Sequence, residues 1–178
     1  MSDSTLSMND WVVHKFGGTS VGSADCMRQC AEIIKPFTLK SRVAVVVSAM
    51  GGKPKVTDML LDSVHAAAKG DDESSQTLLK NILLKHEICV MDILKGSPNG
   101  KEILNKIASD LKDINDLLRA VTLMRMAHEQ ILELVSGYGE VITLNNSTSY
   151  DCTVSAISIY IISLITCTSF SLYLGMVS

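Results

Sequence analysis

The sequence predicts an α/β fold: a parallel sheet covered by helices. Two observations carry this. Two apolar, β-branched runs, Trp11-Val12-Val13 and Arg42-Val43-Ala44-Val45-Val46-Val47-Ser48-Ala49-Met50, read as strands. Each is followed by a helix-like run, and strand–helix alternation is the pattern of a parallel sheet.

The elements follow in order: strand 11–16, helix 21–35, strand 42–49 and helix 56–69. The second strand is almost continuously apolar, as a strand buried on both faces requires. The crossover between the strands should be right-handed. Gly51-Gly52-Lys53-Pro54-Lys55 breaks the apolar pattern as a loop. Residues 70–75, Gly-Asp-Asp-Glu-Ser-Ser, read as a polar connector. Three helix-like runs come next, Gln76–Leu94, Lys101–Leu118 and Met124–Val135, with a turn at 96–100 between the first two. In the middle run Ile103, Ile107, Leu111, Ile114 and Leu118 recur at three- and four-residue spacing, which marks one apolar helix face.

A chain of 178 residues can bury one sizeable core. Its net charge of −3 and its few aromatics point away from nucleic acid. The five cysteines have no CxxC spacing and read as reduced thiols. Cys26 and Cys30, one helical turn apart, read as small buried residues, and the four histidines share no ligand spacing, so no metal site is expected. The N-terminus, Met1-Ser2-Asp3-Ser4-Thr5, has neither the apolar core of a secretory signal nor the Arg-rich helix of a transit peptide.

The densest signal is Lys15-Phe16-Gly17-Gly18-Thr19-Ser20-Val21, between the first strand and the first helix. A cation at a strand end, two glycines and hydroxyls at a helix start compose a phosphate site. Glycine lets backbone amides approach an anion, and a helix N-terminus adds unpaired N–H groups and the positive end of the dipole. Lys15 adds a point charge for terminal phosphates. The order differs from a P-loop, in which the lysine follows the glycines. In such folds, phosphate sites lie beyond the carboxyl ends of strands, where Gly17-Gly18 falls.

This run resembles the N-terminal signature of aspartate kinases, in the amino-acid kinase family. Two further segments extend the resemblance. One is Val47-Ser48-Ala49, a short loop, then Thr57 at a helix start; the other is Gly137-Tyr138-Gly139-Glu140. The stretches Lys55-Val56-Thr57-Asp58-Met59 and Leu117-Leu118-Arg119-Ala120 are most similar to bifunctional aspartokinase–homoserine dehydrogenases. The resemblance covers roughly residues 11 to 140. It implies a partial amino-acid kinase fold, a parallel-sheet three-layer sandwich with a helical insertion. It implies transfer of the γ-phosphoryl group of ATP, carried with Mg²⁺, to L-aspartate, at the head of lysine, threonine and methionine synthesis. Lys15 is the implied catalytic residue, and Lys15, Phe16, Gly17, Gly18, Thr19 and Ser20 the implied ATP contacts. Ser48, Thr57 and Glu140 are the implied substrate contacts: Thr57 on aspartate, Glu140 on its ammonium group. Family members are homo-oligomers.

By residue type alone, Thr57 reads as an N-cap, Glu140 as a surface carboxylate and Ser48 as a strand end. The occurrence of three motifs in order lifts the site reading above these. The expected compartment is the cytoplasm, or the plastid stroma if a transit peptide is missing.

Residues 141–178 are a different material. They carry one charge, Asp151, and Val154–Val177 is an uncharged run of 24 residues. That length matches the roughly 20 apolar residues of a membrane span, but its many hydroxyls weaken it and no Lys or Arg flanks it. A membrane anchor and a β-rich segment completing the sheet are two readings. The favoured third is a retained intron. Val141-Ile142 permits the codon string GTNAT of a 5′ splice donor, and read-through to a stop gives an Ile/Ser-rich tail without lysine. On that reading the chain is a truncated, inactive kinase lobe. The alternative is a catalytically dead interaction protein or a membrane-tethered one.

Overall fold

The computed structural model describes residues 10–95, 97–147 and 159–163. Strand β1 (Trp11–Phe16) leads through a 3-10 turn (Gly18–Val21) into α1 (Ala24–Thr38). Strand β2 (Arg42–Val47) and α2 (Val56–Lys69) follow. Then come α3 (Asp72–Leu94), α4 (Pro98–Met124), α5 (Glu129–Ser147) and β3 (Ile159–Ser163).

The sheet is parallel, in the order β1-β2-β3. Trp11 stands opposite Arg42 and Phe16 opposite Val47. With strand side chains alternating between faces, Val12, His14 and Phe16 share a face with Val43, Val45 and Val47. That face packs into the core with Met27 and Cys30 of α1. The His14 ring meets Phe37 of α1 edge-on at 4.7 Å. Trp11 and Val13, on the other face, are exposed. The expected α/β class and parallel sheet are what the chain adopts. β2 is buried from Val43 to Val47, as its unbroken apolar run required.

The three helices that follow, α3, α4 and α5, pack together against α2. Leu60 and Val64 of α2, Ile82 and Val90 of α3, Ile107, Ile114 and Leu118 of α4, and Val135 and Ile142 of α5 lie in one core. The apolar face read in the middle run is the buried face of α4: Ile107, Leu111, Ile114 and Leu118 are buried, and Ile103 packs against them.

Several helix limits differ from the sequence-based ones, for local reasons. α1 starts only at Ala24, where the Ser23 side chain caps it, and α5 starts at Glu129, because Met124 ends α4. The connector 70–75 is helical from Asp72, because the Asp71 side chain caps the helix by accepting from the Ser74 N–H at 3.0 Å. Asp72 and Glu73 then sit at the positive end of the helix dipole. The turn expected at 96–100 is largely the start of α4. Ser97 is its N-cap and Pro98 occupies the first helical position, where a missing N–H costs nothing. α5 passes through Gly137 and Gly139 without breaking and carries Ile142 and Thr143 into the core.

Among the described residues no helix is long and apolar enough to cross a membrane. Most of the apolar run 154–177 lies outside the described residues.

Candidate active site at the strand ends

β1 and β2 end side by side, and their loops are bonded together. The Ser48 N–H donates to the Phe16 carbonyl at 3.1 Å, extending the ladder by one step. The Gly51 N–H donates to the Gly18 carbonyl at 2.8 Å. Neither glycine has room for a side chain. A Cβ on Gly18 would stand 2.7 Å from the Ala49 carbonyl oxygen, and one on Gly51 would stand 2.5 Å from the Gly18 carbonyl. The two glycine pairs, read separately in the sequence, are two halves of one contact.

The Gly17–Ser20 turn is closed by the Ser20 N–H on the Gly17 carbonyl at 2.9 Å. Thr19 and Ser20 are exposed on it. Lys15 is exposed and folds back over the turn: a Cβ on Gly17 would lie 3.9 Å from the Lys15 Nζ. Among the described residues, no carboxylate forms an ion pair with Lys15. Phe16 differs from its neighbours. Its ring is buried and stacks over His14 at 6.2 Å, so what it offers the loop is backbone.

The other wall is built from α2 and α5. The Val56 N–H donates to the Met50 carbonyl at 3.1 Å, which fixes where α2 starts. The N-cap of α2 is Lys55, and no side chain caps the helix. Thr57 is therefore not the cap that its residue type suggested. It is the second residue of the helix, half-buried beside the open amides of the first turn.

α5 meets the end of β2 through Gly139. A Cβ there would be 2.9 Å from the Ala49 Cβ and 3.3 Å from Leu60 Cδ1. This close approach sets Glu140 beside Ala49. Burial pushes the Glu140 carboxyl above its usual value, and hydrogen bonding from its own backbone amide and that of Ala49 pulls it part of the way back. Glu140 is therefore a half-buried carboxylate that gains from a cationic partner. Thr143, one turn on, locks the junction. Its hydroxyl accepts from the Met50 N–H at 2.9 Å and donates to the Gly139 carbonyl at 2.8 Å.

Segment 48–56 is thus the hub to which the Gly17–Ser20 turn, the start of α2 and the Glu140 turn of α5 are all bonded. Sequence reasoning missed two residues that hold it, Thr143 and Lys85. The Lys85 Nζ of α3 donates to the carbonyls of Gly51 and Pro54, each at 2.6 Å. Neither residue sits in a local motif, so the sequence carried no signal for them.

The arrangement offers a cation and a glycine turn on one side, and an uncapped helix start with a carboxylate on the other. Residues 10–148 match the amino acid kinase family, and the chain belongs to that family. It is 38% identical over 130 residues to the chloroplastic bifunctional aspartokinase/homoserine dehydrogenase 2 of Arabidopsis thaliana, covering 73% of this chain and 14% of that protein. It is 28% identical over 133 residues to an aspartokinase of Schizosaccharomyces pombe, covering 73% and 25% of the two. Its structure resembles E. coli aspartokinase III in complex with aspartate and ADP, with a TM-score of 0.61 and 27% identity over 78% of this chain and 28% of that one. The chain thus spans about a seventh to about a quarter of the length of these relatives.

Proposed function

We propose that this chain is the N-terminal lobe of an aspartate kinase, in which the γ-phosphoryl group of ATP passes to the β-carboxylate of L-aspartate. The observation that carries the reading is the hub at residues 48–56, which gathers the phosphate turn and Glu140 at the same end of the sheet. The names of the relatives support the substrate.

The reaction asks little proton chemistry of the protein. A carboxylate with a pKa near 4 is already ionised at neutral pH, so the nucleophile needs no general base. Two anions must instead be aligned and their repulsion cancelled. Lys15 takes the charge developing on the phosphates. The backbone of Phe16, Gly17 and Gly18, with Thr19 and Ser20, binds the triphosphate, which enters as its magnesium complex. Thr57 and the open amides of α2 hold a substrate carboxylate. Ser48 gives a polar contact at the strand end, and Glu140 pairs with the substrate ammonium.

Phosphoryl transfer is assigned to the longer protein that the relatives represent. The 178 residues alone are expected to bind ATP and form little or no aspartyl phosphate. Calorimetric titration of magnesium ATP into the chain and into Lys15→Ala tests the site. The reading expects at least a tenfold loss of affinity, about 1.4 kcal/mol; equal affinity for the two would sink it. Trapping aspartyl phosphate with hydroxylamine tests the second statement, and turnover by the isolated chain would overturn it.

A further inference from the structure

Lys85 is not part of any motif, yet it is bonded to the loop that organises the site. It lies on α3, 34 residues from Gly51 in the chain. Its stem is half-buried, and its Nζ sits between the carbonyl oxygens of Gly51 and Pro54, 2.6 Å from each. The intervening backbone bends around the ammonium group: a Cβ on Gly52 would stand 3.2 Å from Nζ. Among the described residues no carboxylate forms an ion pair with this lysine, so two carbonyl dipoles are its partners.

A cavity of about 230 Å³ opens beside Lys85, lined also by Gly22, Ser23, Met50 and Cys89. Lys53, Pro54 and Lys55 are exposed. Charge-assisted hydrogen bonds are the stronger kind, and two of them converge here on one four-residue span. The clasped end of that span is Gly51, whose N–H is bonded to Gly18 of the phosphate turn.

We propose that Lys85 is a positioning residue: it clasps residues 51–54 through two carbonyls and so holds Gly51 against Gly18, making the two loops one anion-binding surface. The proposal rests on the nucleotide site described above. Lys85 acts through the backbone and not by touching the ligand. Its burial, which pushes the ammonium below its usual pKa, is tolerated because both carbonyls point at it.

The test compares the chain with Lys85→Met, which keeps the stem and removes the charge, and Lys85→Arg, which keeps donors. Amide hydrogen exchange is read at Gly51, Gly52 and Val56, with Ile82 and Val90 of α3 as controls for folding, and magnesium ATP affinity is read by calorimetry. The expected result is at least about tenfold faster exchange at Gly51 in Lys85→Met, with unchanged controls. Affinity should fall several-fold, and Lys85→Arg should restore both. Unchanged exchange at Gly51 overturns the proposal. So does faster exchange with unchanged ATP affinity, which would make Lys85 a support for the loop alone. If the unsubstituted chain binds no ATP, that failure belongs to the proposed function. Exchange then decides for Lys85: faster exchange at Gly51 that reaches Thr19 and Ser20 supports the clasp, and unchanged exchange refutes it.

Discussion

Gly18 and Gly51 touch backbone to backbone: the Gly51 N–H donates to the Gly18 carbonyl at 2.8 Å, and neither residue has space for a Cβ. The obstructing atoms are main-chain atoms, which cannot swing away as a side-chain end would. Gly51→Ala should therefore cost about 1–3 kcal/mol, the range for forcing an extra carbon into a packed site. It should also separate the two loops and weaken nucleotide binding. Urea unfolding and ATP titration of the variant check both. A stability within about 0.5 kcal/mol of the parent, the range of an ordinary surface change, would contradict the contact.

Gly139 and Glu140, neighbours on α5, carry separate costs, one of packing and one of charge. Gly139→Ala pushes a carbon into the Ala49 Cβ and Leu60 and should destabilise by about 1–3 kcal/mol. Glu140→Gln removes a charge that burial already disfavours, so it should be neutral or slightly stabilising at pH 7. The folded carboxyl binds its proton more tightly than the unfolded one. Stability from this group is therefore present at low pH and falls as pH rises from the unfolded pKa through the folded one. In Glu140→Gln this slope should disappear. Melting curves from pH 4 to pH 7 measure it, and an unchanged slope would show that Glu140 does not titrate as described.

Thr143→Val keeps the shape of the side chain and removes its oxygen. The Met50 N–H, buried in the loop after β2, then loses its acceptor, and the expected cost is about 1–3 kcal/mol. Thr143→Ser keeps the hydroxyl and should recover most of the loss. Equal stability of the Val and Ser variants in urea would rule out the hydrogen bond as the source.

Which parts of this molecule the sequence announced depends on the range of the interactions. β1, β2 and α2 have the ends that hydrophobic period and turn residues marked, apart from the last two residues assigned to the second strand. The start of α3 was hidden because Asp71, a good cap, reads in isolation as part of a polar linker. The Gly17–Ser20 turn is legible because strand, glycines and helix start are neighbours in the chain. Its coupling to Gly51 is not, since Gly18 and Gly51, 33 positions apart, carry no mark of contact. Thr143 lies 93 residues from the amide it satisfies, and Lys85 lies 34 and 31 from its two carbonyls. Such residues are defined by the fold and leave no local pattern.

His86 should govern the acid limb of stability. It is fully buried on α3, with Nδ1 2.8 Å from the Ile82 carbonyl and no partner for Nε2 among the described residues. Burial, reinforced by the neighbouring Lys85 charge, lowers its pKa from the usual 6.5 to about 4, against the opposing pull of the Ile82 carbonyl. Below pH 6.5 the unfolded chain takes up a proton that the folded chain refuses, so stability is full above that pH and falls as pH drops toward 4. At about 1.4 kcal/mol per pH unit the loss across this window is about 3 kcal/mol. His86→Gln removes the titration and should flatten urea midpoints between pH 6.5 and pH 4, even if it is less stable throughout. Equal pH slopes for parent and variant would mean that His86 is charged in the folded chain, with an acceptor for Nε2.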